Sequence, residues 1–152
     1  DYDARFIKLA GEINTHMPLH VVNLISSGLN KHEKAINGSQ ILVIGVAYKS
    51  DINDCRESPA LDIIELLHRG GANVKYHDPF VEKLKFNDID LESTIKLDKD
   101  YIANFDACVI LTNHSNINYK IIAENSNLII DTRNVFQDIN RDNIIRLGQG
   151  VK

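Results

Sequence analysis

Lys49, Arg56 and Arg133 are the cations of this 152-residue chain whose positions suit them to act together on an anion. The first two lie in GVAYKSDINDCRESPA, residues 45–60, which follows the apolar run QILVI and leads into a helix-forming segment. Arg133 lies in DTRN, just past the apolar run LII at 128–130. Each therefore sits just beyond an expected strand end. Three cations converging on one rim, together with free N–H groups of a helix starting at Pro59, form a site for a multiply charged anion. A diphosphate fits, because Arg offers a planar fork and Lys a mobile point charge. The competing reading is a solvated network in which Lys49 and Arg56 pair with Asp51, Asp54 and Glu57. A dinucleotide turn is a poor match: G-x-G-x-x-G lets backbone approach a pyrophosphate, and here Gly45 stands without the other glycines. This loop binds with side chains if it binds at all.

Other reactive residue types are sparse. Asp78 ends an expected strand, where it reads equally as a ribose ligand or, with Pro79, as a plain turn. His114 falls in Thr-x-His after another expected strand, and a solvent-facing or core-rim place suits it better than chemistry. Cys55 and Cys108 have neither C-x-x-C spacing nor a neighbouring His, so neither a disulfide framework nor a metal site is expected, and Cys108 reads as a core residue. Seventeen Lys+Arg against 21 Asp+Glu, net charge −4, with no dense basic block, argues against nucleic acid as a partner. No apolar run approaches the ~18 residues of a membrane span, and no signal peptide is recognisable, so a cytoplasmic protein is expected.

The elements that position these residues alternate. Residues 1–36 form a long helical pattern, with Phe6, Ala10, Ile13, Met17, Val21, Leu24 and Gly28 on one stripe. Pro18 predicts a kink or a restart, and Asn37-Gly38 a stop. A helix of that length is expected to pack on something outside the domain, the alternative being its own sheet. Strands are predicted at Gln40–Ala47, Asn73–His77, Ala107–Thr112 and Leu128–Asp131. Helices are predicted at Pro59–Arg69, Asp100–Phe105 and Tyr119–Asn125. Ser58 caps the first of these, with Pro59 at its first position and Gly70-Gly71 at its end. Residues 81–97 read as irregular with one short strand. Apolar strands alternating with helices give an α/β, Rossmann-like doubly wound parallel sheet preceded by a long helix. Ligands bind such sheets at the carboxyl ends of the strands. Domain boundaries are set at 1–37 for the helical segment and 38–152 for the sheet domain.

GVAYKSDINDCRESPALDIIELLHRGGANVKYHDP, DTRN at 131–134 and ARFIKLAGEINTHMP at 4–18 resemble the C-terminal part of the UDP-glucose/GDP-mannose dehydrogenase family. The resemblance implies the end of a central, dimer-forming helical region followed by a domain that holds the substrate's nucleotide. By resemblance, Tyr48 and Lys49 contact the UDP-sugar, Arg133 is a second substrate contact, and Arg56 reaches NAD bound by another domain. Asp51, Asp54 and Glu57 then shape the loop. Family members oxidise a C6 alcohol to a carboxylate with two NAD through a cysteine nucleophile in a glycine-rich loop. Neither cysteine has that context, so the chain is expected to be a fragment, without catalytic residues and inactive alone. The spellings RESPA and HDPF look most like members acting on UDP-N-acetylhexosamines, in the making of cell-surface polysaccharide, with UDP-glucose next and GDP-mannose last. The implied partners are the UDP-sugar, the enzyme's N-terminal domain and a second copy through the first helix. A freestanding flavodoxin-like nucleotide-binding module and a purely structural dimerisation piece are the rivals.

Overall fold

The computed structural model describes residues 4–149. The chain opens with α1 (Arg5–Asn30), β1 (Gln40–Ile44), α2 (Pro59–Arg69) and β2 (Asn73–His77). A hairpin of β3 (Lys83–Phe86) and β4 (Ile89–Glu92) follows, then α3 (Lys99–Ile102) and β5 (Ala107–Ile110). α4 (Tyr119–Asn125), β6 (Ile129–Asp131) and β7 (Ile144–Arg146) complete it. Five strands pair in parallel in the order β2-β1-β5-β6-β7. Strand order reverses between β1 and β5, which is where doubly wound sheets open a crevice for ligand.

Alternation along the strands builds two cores. Ile41, Val43, Val74, Val109, Ile130 and Ile145 face α1 and α2, while Leu42, Ile44, Cys108, Ile110, Ile129 and Ile144 face the α3 and α4 side with Phe136. Helices on both faces explain why β1 and β5 are apolar at nearly every position. The capping signals act locally as read: Ser58 Oγ accepts from Ala60 N at 3.3 Å, and Pro59 takes the first helical position. Both α2 and β2 have the predicted bounds, as does α4.

Several expectations are corrected. β1 stops at Ile44 because Gly45 turns the chain with φ +77°. A Cβ there would lie 2.2 Å from the Thr112 carbonyl oxygen, so only glycine fits. β5 likewise ends at Ile110. The 81–97 stretch contains a hairpin rather than one strand, turned at Asn87 with φ +48°. β7 was not expected; at three residues it is too short to show a period.

The first helix divides in two. Phe6, Ile7, Leu9 and Ile13 are exposed, whereas Val21, Val22, Leu24, Ile25 and Leu29 enter the core on the domain's own sheet. Gly28 lets this half press close: a Cβ there would meet Ile145 Cδ1 and Leu128 Cδ2, each at 3.0 Å. One face of the second half is therefore covered by the domain's own sheet, the alternative left open above, while Leu19 on the helix's other side stays exposed. α1 runs through Pro18 without interruption and ends at Asn30 rather than Ile36, where Lys34 N bonds back to Leu29 O and Glu33 turns left-handed at φ +57°.

Candidate functional site

The loop from Gly45 to Ser58 leaves β1 at the switch point and is pinned at its base by a buried carboxylate. Asp78 Oδ2 accepts from Val46 N at 2.7 Å and Ala47 N at 3.1 Å. Its Oδ1 accepts from Phe80 N at 2.9 Å and Val81 N at 3.1 Å. Fully engaged and buried, Asp78 holds the turn and offers nothing to a ribose. Thr112 Oγ donates to Ala47 O at 2.6 Å, tying the loop also to the end of β5.

His114 is buried, which corrects the solvent-facing or core-rim reading. Its Nε2 lies 2.9 Å from Asp78 Oδ2, and its Nδ1 accepts from Asp51 N at 2.9 Å. That pair of partners specifies the neutral tautomer with the proton on Nε2. Asp51 Oδ1 in turn accepts from Ser115 N at 2.8 Å, a bond that holds the Asp51 carboxyl below its usual range. The loop tip is thus fastened to residues 112–115, a link no spacing in the sequence displays.

Tyr48, Lys49, Ser50, Thr112, Asn113 and Arg133 line one cleft of about 340 Å³ at this rim. It adjoins a wider groove of about 610 Å³ in which Tyr48, Lys49 and Arg133 face Asn14, Met17 and Pro59. Beside Arg133 is an apolar pit of about 180 Å³ between α1 and α2, floored by Ala60, Ile63 and Leu111. Among the described residues, no carboxylate is within ion-pair distance of Lys49, whose ammonium lies 5.8 Å from the Tyr48 ring centroid. Arg133 Nε donates to Leu111 O at 2.6 Å and its backbone N to Asp131 Oδ1 at 3.0 Å. This anchors the guanidinium at the cleft while its terminal nitrogens find no acceptor among the described residues.

Arg56 stays outside that group. Its Nε and Nη2 hold both oxygens of Asp54 at 3.0 and 2.8 Å, on a side chain 87% exposed, and it lines neither the cleft nor the groove. The Arg56 hydrogen bonds pull the Asp54 carboxyl down to about 2. The solvated-network reading thus describes Arg56 with Asp54 and leaves Lys49 free of it. The expected free N–H groups of α2 are also corrected: Pro59 has none, Ala60 N is taken by Ser58 Oγ, and Leu61 N bonds Ser58 O. Side-chain cations, with the helix dipole behind them, must therefore hold any anion. The rule that ligands bind at strand ends selects the loop from Tyr48 to Ser58 and the stretch Thr112–Ser115, and so covers Ser50, Thr112 and Asn113, but nothing in the sequence singles out these three side chains as lining residues.

Burial in β5 pushes the Cys108 thiol up to about 11, which leaves it inert at neutral pH. Cys55 is half-buried and packs against the core. Among the described residues, no group of His, Cys, Asp and Glu is arranged to hold a metal, and no helix is long and apolar enough to cross a membrane. Nor do these residues fit NAD as a bound group, because the space beside Gly45 is filled by Thr112 instead of opening to a pyrophosphate.

Residues 42–138 match the family model of the UDP-glucose/GDP-mannose dehydrogenase family, UDP binding domain. The UDP-N-acetyl-D-mannosamine dehydrogenase of Methanococcus maripaludis is 31% identical over 143 residues, covering 89% of this chain and 31% of its own. The UDP-glucose 6-dehydrogenase of Bacillus subtilis is also 31% identical over 143 residues, covering 89% and 30%. Among solved structures, the UDP-D-ManNAc dehydrogenase from Pyrococcus horikoshii superposes with a TM-score of 0.79 at 26% identity, over 100% of this chain and 35% of that one. The chain spans 30–31% of the length of these curated relatives. Since the matched segment contains both loops that build the cleft, the chain belongs to the UDP-glucose/GDP-mannose dehydrogenase family and carries its UDP-binding domain.

Proposed function

We propose that this chain holds the UDP part of the substrate in an NAD-dependent UDP-sugar 6-dehydrogenase. The observation that carries the reading is the meeting of Lys49 and Arg133, 84 positions apart by their numbers, in one cleft at the switch point. Lys49 supplies a mobile charge and Arg133 a fixed fork for the diphosphate, with Tyr48 beside them at the rim. UDP held there fixes the sugar's C6 relative to the rest of the enzyme, and so contributes orientation rather than bond making. Two NAD, bound in turn by a part of the enzyme outside this chain, would each accept one hydride, and water would supply the second oxygen as the alcohol becomes a carboxylate. Arg56, projecting from the loop with its charge shared by Asp54, is suited to meet that neighbouring part.

The sugar is a UDP-N-acetylhexosamine by this reading, supported by the names of relatives such as that of M. maripaludis. The B. subtilis relative keeps UDP-glucose as the second reading. The product serves cell-surface polysaccharide synthesis in the cytoplasm. Residues 1–37 belong to the dimer-forming region and 38–152 to the UDP domain, with the second half of α1 shared between them. The exposed Phe6, Ile7, Leu9 and Ile13 are the dimer surface.

Calorimetry of the chain with UDP tests the assignment. Lys49→Ala and Arg133→Ala should each weaken binding by roughly 1.5 to 3 kcal/mol, the worth of a charge-assisted hydrogen bond. Arg56→Ala should leave UDP affinity nearly unchanged. Equal small losses in all three variants, or no binding by the unaltered chain, would overturn the reading.

A further inference from the structure

The loop carrying Tyr48 and Lys49 is long, and few bonds hold its tip. Its base is tied by Asp78 and Thr112, and Tyr48 N crosses the loop to Asp54 O at 2.8 Å. Towards the sheet, the tip is fastened at Ser50, whose Oγ lies 3.0 Å from Asn113 Oδ1, and at Asp51. Asp51 carries the heavier tie. It has φ +62°, a left-handed conformation that a non-glycine residue adopts only at a cost its surroundings must offset. Its backbone N–H finds a buried acceptor in His114 Nδ1, and its carboxylate caps Ser115 N.

We infer that His114 is a positioning residue for UDP binding, in which Nδ1 holds the Asp51 amide and thereby sets Lys49 against the cleft. Two properties suit the imidazole to this. Nε2–H donates to Asp78 Oδ2, the same oxygen that receives Val46 and Ala47 N–H, so loop base and loop tip share one buried anchor. The ring also packs on the Phe80 ring, whose centroid is 5.0 Å away, and the His114 main chain is held by the Tyr119 hydroxyl, which donates to its carbonyl at 3.1 Å. A flexible acceptor would lose rotamer freedom on holding the amide, whereas this one is already ordered. The inference rests on the UDP-holding role proposed above and adds a residue that touches no ligand itself.

Two substitutions separate the two ring nitrogens. In His114→Asn the amide oxygen stands where Nδ1 was and still accepts the Asp51 N–H, while the bond to Asp78 is lost. In His114→Gln the amide nitrogen reaches the place of Nε2, keeps Asp78 and leaves the Asp51 N–H unpaired. With UDP as the probe, His114→Gln should bind about tenfold more weakly, the cost of one buried hydrogen bond. His114→Asn should bind within about threefold of the unaltered chain, even where its thermal melt is the lower of the two. Trypsin should cut after Lys49 faster in His114→Gln only. A purely structural histidine predicts the opposite ranking, with affinity and proteolysis following the melts, and that result overturns the inference.

A measurement on the unaltered chain needs no variant to fold. Nitrogen NMR should show His114 protonated on Nε2 and the Asp51 amide among the slowly exchanging ones, slower still with UDP added. A freely exchanging Asp51 amide refutes the inference. Failure of the unaltered chain to bind UDP instead refutes the proposed function, and proteolysis and NMR still decide whether His114 holds the loop.

Discussion

Replacing Asp78 by Asn exchanges one oxygen of a buried carboxylate for an NH2 group, in a place where every neighbour is a donor. The two oxygens together accept from Val46 N, Ala47 N, Phe80 N, Val81 N and His114 Nε2. The amide nitrogen must face either the three donors at Oδ2 or the two at Oδ1, and it will turn to the smaller group. Two hydrogen bonds to a charged acceptor are then lost, at about 1.5 to 3 kcal/mol each, and the other three weaken as the charge disappears. Because these terms overlap, the expected net loss is about 4 kcal/mol. Urea unfolding followed by circular dichroism reads it: with an m-value of about 2 kcal/mol/M, the midpoint falls by about 2 M. The result that refutes this is a midpoint lowered by less than about 0.5 M together with a clear loss of nucleotide affinity. Asp78 would then be a ligand contact, the alternative its position at a strand end left open, and the buried hydrogen-bond set would carry little stability.

Two further outcomes are expected. Asp54, drawn from 3.8 to about 2 by Arg56, contributes stability that is present above the unfolded value and lost as pH falls through the folded one. Carbon NMR of its carboxyl should therefore show titration at low pH that moves up towards 3.8 in Arg56→Ala, with no difference near neutrality; an Asp54 curve indifferent to Arg56 removes the pair. The exposed half of α1 should associate in solution. Ile13→Asp should yield a stable monomer by sedimentation, whereas Val21→Asp, in the core, should unfold the domain; a monomeric unaltered chain at high concentration defeats the dimer proposal.

Much of this protein is legible in its sequence because the signals are local. Apolar runs such as QILVI specify strands covered on both faces, and Ser58-Pro59 starts α2 where a cap and an N–H-free first residue belong. The same local reading put Lys49 and Arg133 at strand ends, hence on the ligand-binding edge of the sheet. Tertiary structure decided what lies between distant segments. His114 meets Asp51 and Asp78 across 63 and 36 residues, and that contact exists only because β1 lies between β2 and β5. The same order places Asp78 inward, as an anchor instead of a ribose contact. Arg56 resembles Lys49 in charge and neighbourhood, yet the loop's curl gives it to Asp54 and leaves Lys49 to the cleft. Periodicity made one amphipathic helix of α1, but only the sheet's extent settles which half has a surface to cover: from Pro18 onward there is a core beneath it, and before Pro18 there is none. A sequence pattern encodes which face of an element avoids water; what covers that face is fixed by the positions of all the other elements.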